Sequence, residues 1–169
     1  MRILVLSDSH RHVERLALAV DLAAPDAILH LGDHIGDARK LRAMYPDVEF
    51  YMVKGNCDVH AEGETELLLT LEGAKILMAH GHAYNVKNGL AAFSFRAREA
   101  GADIALYGHT HKAMVERAHG IWFMNPGQME RHDAIRASYG IVTVDGTVDG
   151  TADGTVDGGG IRMELKELP

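Results

Sequence analysis

The sequence predicts an α/β fold in which two packed β-sheets carry helices on their outer faces. Two observations lead there. In the first half, short apolar runs alternate with segments of helical spacing at short intervals, the signature of a layered sheet. In the second half strand-like runs dominate, which points to a second sheet and away from a single parallel one.

Taken in order, Arg2 to Leu6 is an apolar, β-rich run that turns polar at Ser7, as a buried strand does when it ends in a loop. From about His12 to Ala23, residues Val13, Leu16, Ala17 and Val20 recur at helical spacing, and Pro25 stops the helix. Ala27 to Leu31 is a second strand, closed by Gly32-Asp33. A helix from about Asp37 to Met44 ends before Pro46, and Val48 to Val53 is a strand closed by Gly55-Asn56. Glu66 to Leu71 and Lys75 to Ala79 read as a hairpin turning at Glu72-Gly73-Ala74. A helix from about Lys87 to Ala100 stops at Gly101. Ile104 to Tyr107, Ala113 to Arg117, Ile121 to Met124, Tyr139 to Val144 and Ile161 to Leu165 are the remaining strands.

The chain of 169 residues is sized for a single domain, 1–169, with a real core. No apolar run is long enough to cross a bilayer, and the N-terminus lacks a signal-peptide pattern. The single cysteine, Cys57, fits a reducing compartment, so a cytoplasmic location is expected, with no membrane partner. A net charge of −7 argues against general nucleic-acid binding, which needs basic surface to displace counterions. It does not argue against an anionic substrate, because divalent ions at a carboxylate cluster reverse the local sign of charge.

One stretch is low in complexity. Thr143 to Gly158 is four tandem copies of Thr-Val-Asp-Gly, with Ala152 replacing Val once, followed by Gly159-Gly160. Asp-Gly is a turn pair, so 143–160 reads as an enlarged loop between the last two strands. Calcium binding is the weaker reading, since known calcium loops have longer spacings.

Five polar clusters each follow a strand-like run: Asp8-Ser9-His10, Gly32-Asp33, Gly55-Asn56-Cys57-Asp58, His80-Gly81-His82 and Gly108-His109-Thr110-His111. Residues at the C-terminal ends of neighbouring strands share one sheet edge, so clusters far apart in sequence can converge. Singly, each has a plain structural explanation. Asp-Ser-His can cap a helix, and Gly-Asp and Gly-Asn are common turns. His30 reads as a packed histidine, and His60, His119 and His132 as surface residues. The His109 and His111 pair is the most specific, because alternation along a strand would put both rings on one face. Together the clusters supply Asp8, His10, Asp33, Asn56, His80, His109 and His111. This oxygen-and-nitrogen set suits manganese, iron, zinc or nickel and is poor for calcium. It can serve two metals if one carboxylate bridges them.

In this order the clusters resemble the motifs of the calcineurin-like metallophosphoesterase superfamily. The chain length and the Gly55-Asn56-Cys57-Asp58 form are similar to its small bacterial and archaeal phosphodiesterase branch, as is Asn125-Pro126-Gly127, with Gln128 where serine is usual. The likeness spans residue 1 to about 144. It implies a four-layer α/β/β/α sandwich of two mixed sheets, and a hydrolase with two divalent ions, manganese first. One ion would take Asp8, His10, Asp33 and His111; the other would take Asp33, Asn56, His80 and His109, with Asp33 bridging. The implied reaction is attack of a metal-bound hydroxide on a small phosphodiester or nucleotide-like substrate. The same fold also serves as a non-catalytic scaffold in the retromer sorting subunit, which has lost part of the metal set. A homo-oligomer is compatible with either reading.

Two departures bear on the proton donor and the phosphate grip. Cys57 stands where larger members carry a histidine acid, and a thiol near two cations would tend to ionise. His82 is the expected donor, since in an extended segment its ring would point the same way as His80; Asp58 would orient an imidazole. His12 and His34 are alternatives. Asp37 stands where related phosphatases place an arginine, with Arg39 two residues later.

Overall fold

The computed structural model describes residues 1–130, 136–145 and 160–169. Along the first half β1 (Arg2–Leu6), α1 (Val13–Ala23), β2 (Ala27–His30), α2 (Ile35–Met44) and β3 (Glu49–Met52) alternate. Then β4 (Glu66–Leu71) and β5 (Ala74–Ala79) form the hairpin, followed by α3 (Ala91–Glu99). The chain continues through β6 (Ile104–Leu106), β7 (Met114–Ala118), β8 (Ile121–Asn125), β9 (Ser138–Val144) and β10 (Ile161–Glu167).

These strands make two five-stranded mixed sheets, ordered β10-β9-β1-β2-β3 and β4-β5-β6-β8-β7. In the first, β1, β2 and β3 are parallel and β9 runs against β1; in the second, β5, β6 and β8 are parallel. Alternation along each strand sorts the core into three layers. Ile3 and Val5 of β1 meet Ile76 and Met78 of β5 between the sheets. Leu4 and Leu6 face Leu16, Val20 and Leu41 of α1 and α2. Leu77 and Phe123 pack on Phe93 and Ala97 of α3. The expected α/β/β/α layering follows, because strands covered on both faces carry continuous apolar runs.

The helix boundaries differ from expectation for local reasons. α2 begins two residues earlier than Asp37, at Ile35, whose amide donates to Asp58 Oδ1 at 2.9 Å. α3 begins at Ala91 rather than near Lys87, because Asn85 (φ 53) and Gly89 (φ 129) break the stretch into two 3₁₀ turns, His82–Tyr84 and Val86–Asn88.

His30 is fully buried in β2, and its Nδ1 accepts the Gly32 amide at 3.2 Å. Burial pushes its imidazole down to about 4, so it stays neutral. His60 and His119 are exposed; His132 lies outside the described residues. So does most of the Thr-Val-Asp-Gly repeat (146–159), and with it the loop and calcium readings. The strands that flank it, β9 and β10, pair from Val144 with Ile161 to Ser138 with Glu167. Among the described residues, no helix is long and apolar enough to cross a membrane.

Candidate metal centre

The parallel strands of both sheets point their C-terminal ends at one edge, and every polar cluster sits just beyond such an end. Asp8 and His10 follow β1, Asp33 follows β2, and Asn56 follows β3. From the other sheet, His80 follows β5, and His109 and His111 follow β6. The site therefore spans the two sheets, as ligand sites at strand ends of open α/β sheets do.

Asp8 is fully buried, and its Oδ2 accepts Ser7 Oγ at 2.6 Å and the His109 amide at 3.1 Å. Its Oδ1 has no hydrogen-bond partner, although His111 Nε2 lies 3.1 Å away and His80 Nε2 4.0 Å away. His10 Nε2 is likewise buried without a partner.

His80 shows the chemistry of the set most clearly. Its Nδ1 lies 2.9 Å from Leu31 O, where it can only donate, so any lone pair belongs to Nε2. Around Nε2 stand Asn56 Oδ1 at 3.1 Å, Asp33 Oδ2 at 3.4 Å and Asp8 Oδ1. Electron-rich atoms converging on one point require a positive charge there, either a proton on Nε2 or a metal ion. An imidazole that donates its other N–H to a backbone carbonyl is the usual form of a metal-ligating histidine. The residues therefore fit divalent ions, and Asp8-His10-His111 and Asp8-Asp33-His80 each bring ligand atoms within 4.8 Å of one another. Asp8 stands in both groups, whereas the resemblance gives the shared role to Asp33.

The protonation shifts have the same origin. Burial alone would raise the carboxyls of Asp8 and Asp33, but His111 and His80 lower the first, and His80 and Cys57 hold the second well below the usual carboxylate range. His80 is buried, which favours its neutral form, yet Asp33 and Asp8 outweigh that and raise it. Burial and the neighbouring His80 lower His82 and His109.

The rings fall into two sets. His10 lies 5.2 Å from His111 and 5.0 Å from His34, while His80 lies 5.1 Å from His109 and 5.5 Å from His82. His109 and His111 thus belong to opposite halves of the centre. They are not on a strand, contrary to the alternation argument. Both are left-handed, with φ of 65° and 61°, in the loop after β6, and Asp8, His10, Asp33 and His34 share that conformation. Non-glycine residues held there carry strain of about 1 kcal/mol or more each, which clusters at functional sites.

The structure bears on four further expectations. Asp58 orients no imidazole: its Oδ1 accepts Ile35 N–H and its Oδ2 accepts Gly55 N–H, each at 2.9 Å, so it ties the Asn56 turn to α2. His12 caps the start of α1, and its Nδ1 meets Glu14 Oε1 at 3.1 Å; the ring contacts of the cluster do not include it. Burial and then the Asp33 carboxylate push the Cys57 thiol up to about 11; the expectation of a thiolate applies beside two bound cations. His82 is not in an extended segment either. Gly81 (φ 102) turns the chain into a 3₁₀ turn, and the ring still faces His80, with a buried, unpartnered Nδ1.

Two supports carry no clear mark in the sequence. Asp37 is buried, and its Oδ2 accepts Ser9 Oγ and the Arg11 amide, both at 2.8 Å, bracing the loop that carries Asp8 and His10. Asn125 donates to Gly108 O at 2.8 Å and to Thr110 Oγ1 at 3.0 Å, bracing the loop of His109 and His111. The Asn-Pro-Gly triplet is the available signal for the second; nothing marks Asp37 as a brace.

Comparison with known proteins gives the family. The family model described as the calcineurin-like phosphoesterase superfamily domain matches residues 1–147. A Bacillus subtilis protein named "Probable metallophosphoesterase YsnB" is 38% identical over 149 residues, covering 86% of this chain and 85% of its own. A crystal structure of a Streptococcus pneumoniae protein described as a "predicted phosphoesterase" superposes with a TM-score of 0.72 at 30% identity, over 85% of this chain and 83% of that one. Vacuolar protein sorting-associated protein 29 of Schizosaccharomyces pombe is 32% identical, over 67% of this chain and 65% of its own.

Proposed function

Because the chain belongs to the calcineurin-like phosphoesterase superfamily, we propose that it hydrolyses phosphodiesters at a dinuclear centre. The observation that carries this reading is the convergence of unpartnered Asp8 Oδ1 and His10 Nε2 with the Nε2-facing acceptors around His80. Asp8, His10, Asp33 and His111 would hold one ion, and Asp33, Asn56, His80 and His109 the other, with manganese the first choice over iron, zinc or nickel. Two such ions supply Lewis-acid activation of water and neutralise charge on the phosphoryl oxygens.

The chain's own residues do the rest. The Leu31 carbonyl fixes the His80 ring, and Asp37 and Asn125 lock the loops that carry the other ligands. His82 faces the centre, ring to ring with His80 and His109, and would protonate the leaving oxygen. His34, edge-on to His10, would contact a phosphoryl oxygen. The likeness to protein 29 keeps a scaffold in view; the complete ligand set favours the enzyme.

One assay tests both parts. Hydrolysis of an aryl phosphodiester should appear when manganese is added to chelator-treated protein and vanish on chelation. His82→Ala should slow an alkyl leaving group by about 10²-fold or more while leaving an activated aryl group much less affected. No manganese-dependent turnover would defeat the hydrolase; equal slowing of both leaving groups would remove His82 as the acid.

A further inference from the structure

Against the centre lies an open cavity of about 650 Å³. Two residues belong to both: His34, edge-on to His10 at 5.0 Å, and Cys57, whose amide donates to Asp33 Oδ1 at 2.9 Å. The remaining wall carries three cations against two carboxylates, Asp37 and Asp58. Arg11, Arg39 and Lys40 line it, all exposed, in a chain whose net charge is −7.

The two carboxylates offset part of that charge, but their oxygens are aimed at other groups. Asp37 accepts Ser9 Oγ and the Arg11 amide, and Asp58 accepts two backbone amides; both are buried. Arg39 gives one nitrogen to the Glu62 carbonyl at 2.6 Å, and none of the three cations forms an ion pair among the described residues. Val59, 75% exposed, adds an apolar surface to the same wall.

We propose that this cavity is a subsite for a second phosphate on the substrate, carried by the alcohol that is esterified at the reacting phosphorus. The inference rests on the phosphoesterase reading of the neighbouring centre. A guanidinium binds phosphate through paired N–H donors and an ammonium adds a mobile point charge, so Arg11 and Lys40 make a receptor for a dianion. Val59 covers the short apolar link between the two phosphates. A phosphodiester without the second anion leaves the cations solvated and gains nothing from them. The cavity therefore selects among diesters, and the centre cleaves them.

The test uses full-length manganese-loaded protein and three 4-nitrophenyl phosphodiesters that differ in the second alcohol: ethanol, ethylene glycol ending in a phosphate, and choline. Both kcat/KM and equilibrium binding are measured for wild type and for R11Q/K40Q. Wild type should favour the phosphate-tipped ester over the ethyl ester by on the order of tenfold or more, with the choline ester poorest. In R11Q/K40Q that ratio should collapse towards one, mainly through KM. Equal ratios in the two proteins, or a drop in the double variant shared by all three esters, would overturn the subsite and leave the cations as mere balance for the carboxylates. If no ester is turned over, binding still decides: an Arg11- and Lys40-dependent preference for the phosphate-tipped ester keeps the subsite while the hydrolase reading falls.

Discussion

Replacing Asp33 by asparagine should abolish most activity, by on the order of a hundredfold or more, and strip more metal than any single histidine change. The substitution keeps volume and removes the negative charge that the centre needs. Asp33 Oδ1 is already engaged by the Cys57 amide at 2.9 Å, and Oδ2 faces His80 Nε2 at 3.4 Å. An amide in that place offers one weak acceptor where a carboxylate offers two charged ones. His10→Ala and His111→Ala should each weaken one half of the centre and retain metal in the other. Elemental analysis of the three purified variants beside wild type measures this. Equal metal content in all three would remove Asp33 from the shared position and transfer that role to Asp8, which stands in both ligand groups.

The second large effect is expected from a single methyl group. A Cβ on Gly55 would lie 2.0 Å from Asp33 Oδ1 and 2.4 Å from Asp33 N, too close for the carboxylate to remain where it is. Gly55→Ala should therefore cost about 3 kcal/mol, roughly 6–12 °C in Tm, and should lose metal as well. Gly108→Ala is expected to act alike, because its new methyl would fall 2.0 Å from Ser7 Oγ and 2.8 Å from Asp8 Oδ2. Gly36→Ala, with nothing within 4 Å, is the control and should be neutral or slightly stabilising. Thermal unfolding of the three variants separates a close approach from a general effect of replacing glycine by alanine. A Gly55→Ala protein with wild-type Tm and metal content would show that the two loops are not held together as described.

The layers and the ligand-bearing loops were legible because their causes are local. Strands such as Ile3–Leu6 and Ile76–Ala79 are continuous apolar runs, since both faces are covered, and glycine stands where backbone and carboxylate approach closely, as at Gly55 and Gly108. What failed depended on contacts distant in sequence or on backbone geometry. Asp58 looked like the partner of a histidine, yet its oxygens are taken by the amides of Ile35 and Gly55, a use that composition cannot signal. His109 and His111 looked like alternating strand residues, but the strand ends at Leu106 and both residues are left-handed. Asp37 stood out only as a missing arginine, and its role as a brace appears once Ser9 and Arg11 are folded against it.

The claim on which the rest stands is that loops from two sheets build one centre for two ions. Anomalous diffraction from manganese-soaked crystals tests it most directly. Two peaks about 3.5–4 Å apart are expected, one against His10 and His111, the other against Asn56, His80 and His109, with Asp33 touching both. A single peak, or two peaks of which Asp33 touches only one, would contradict it.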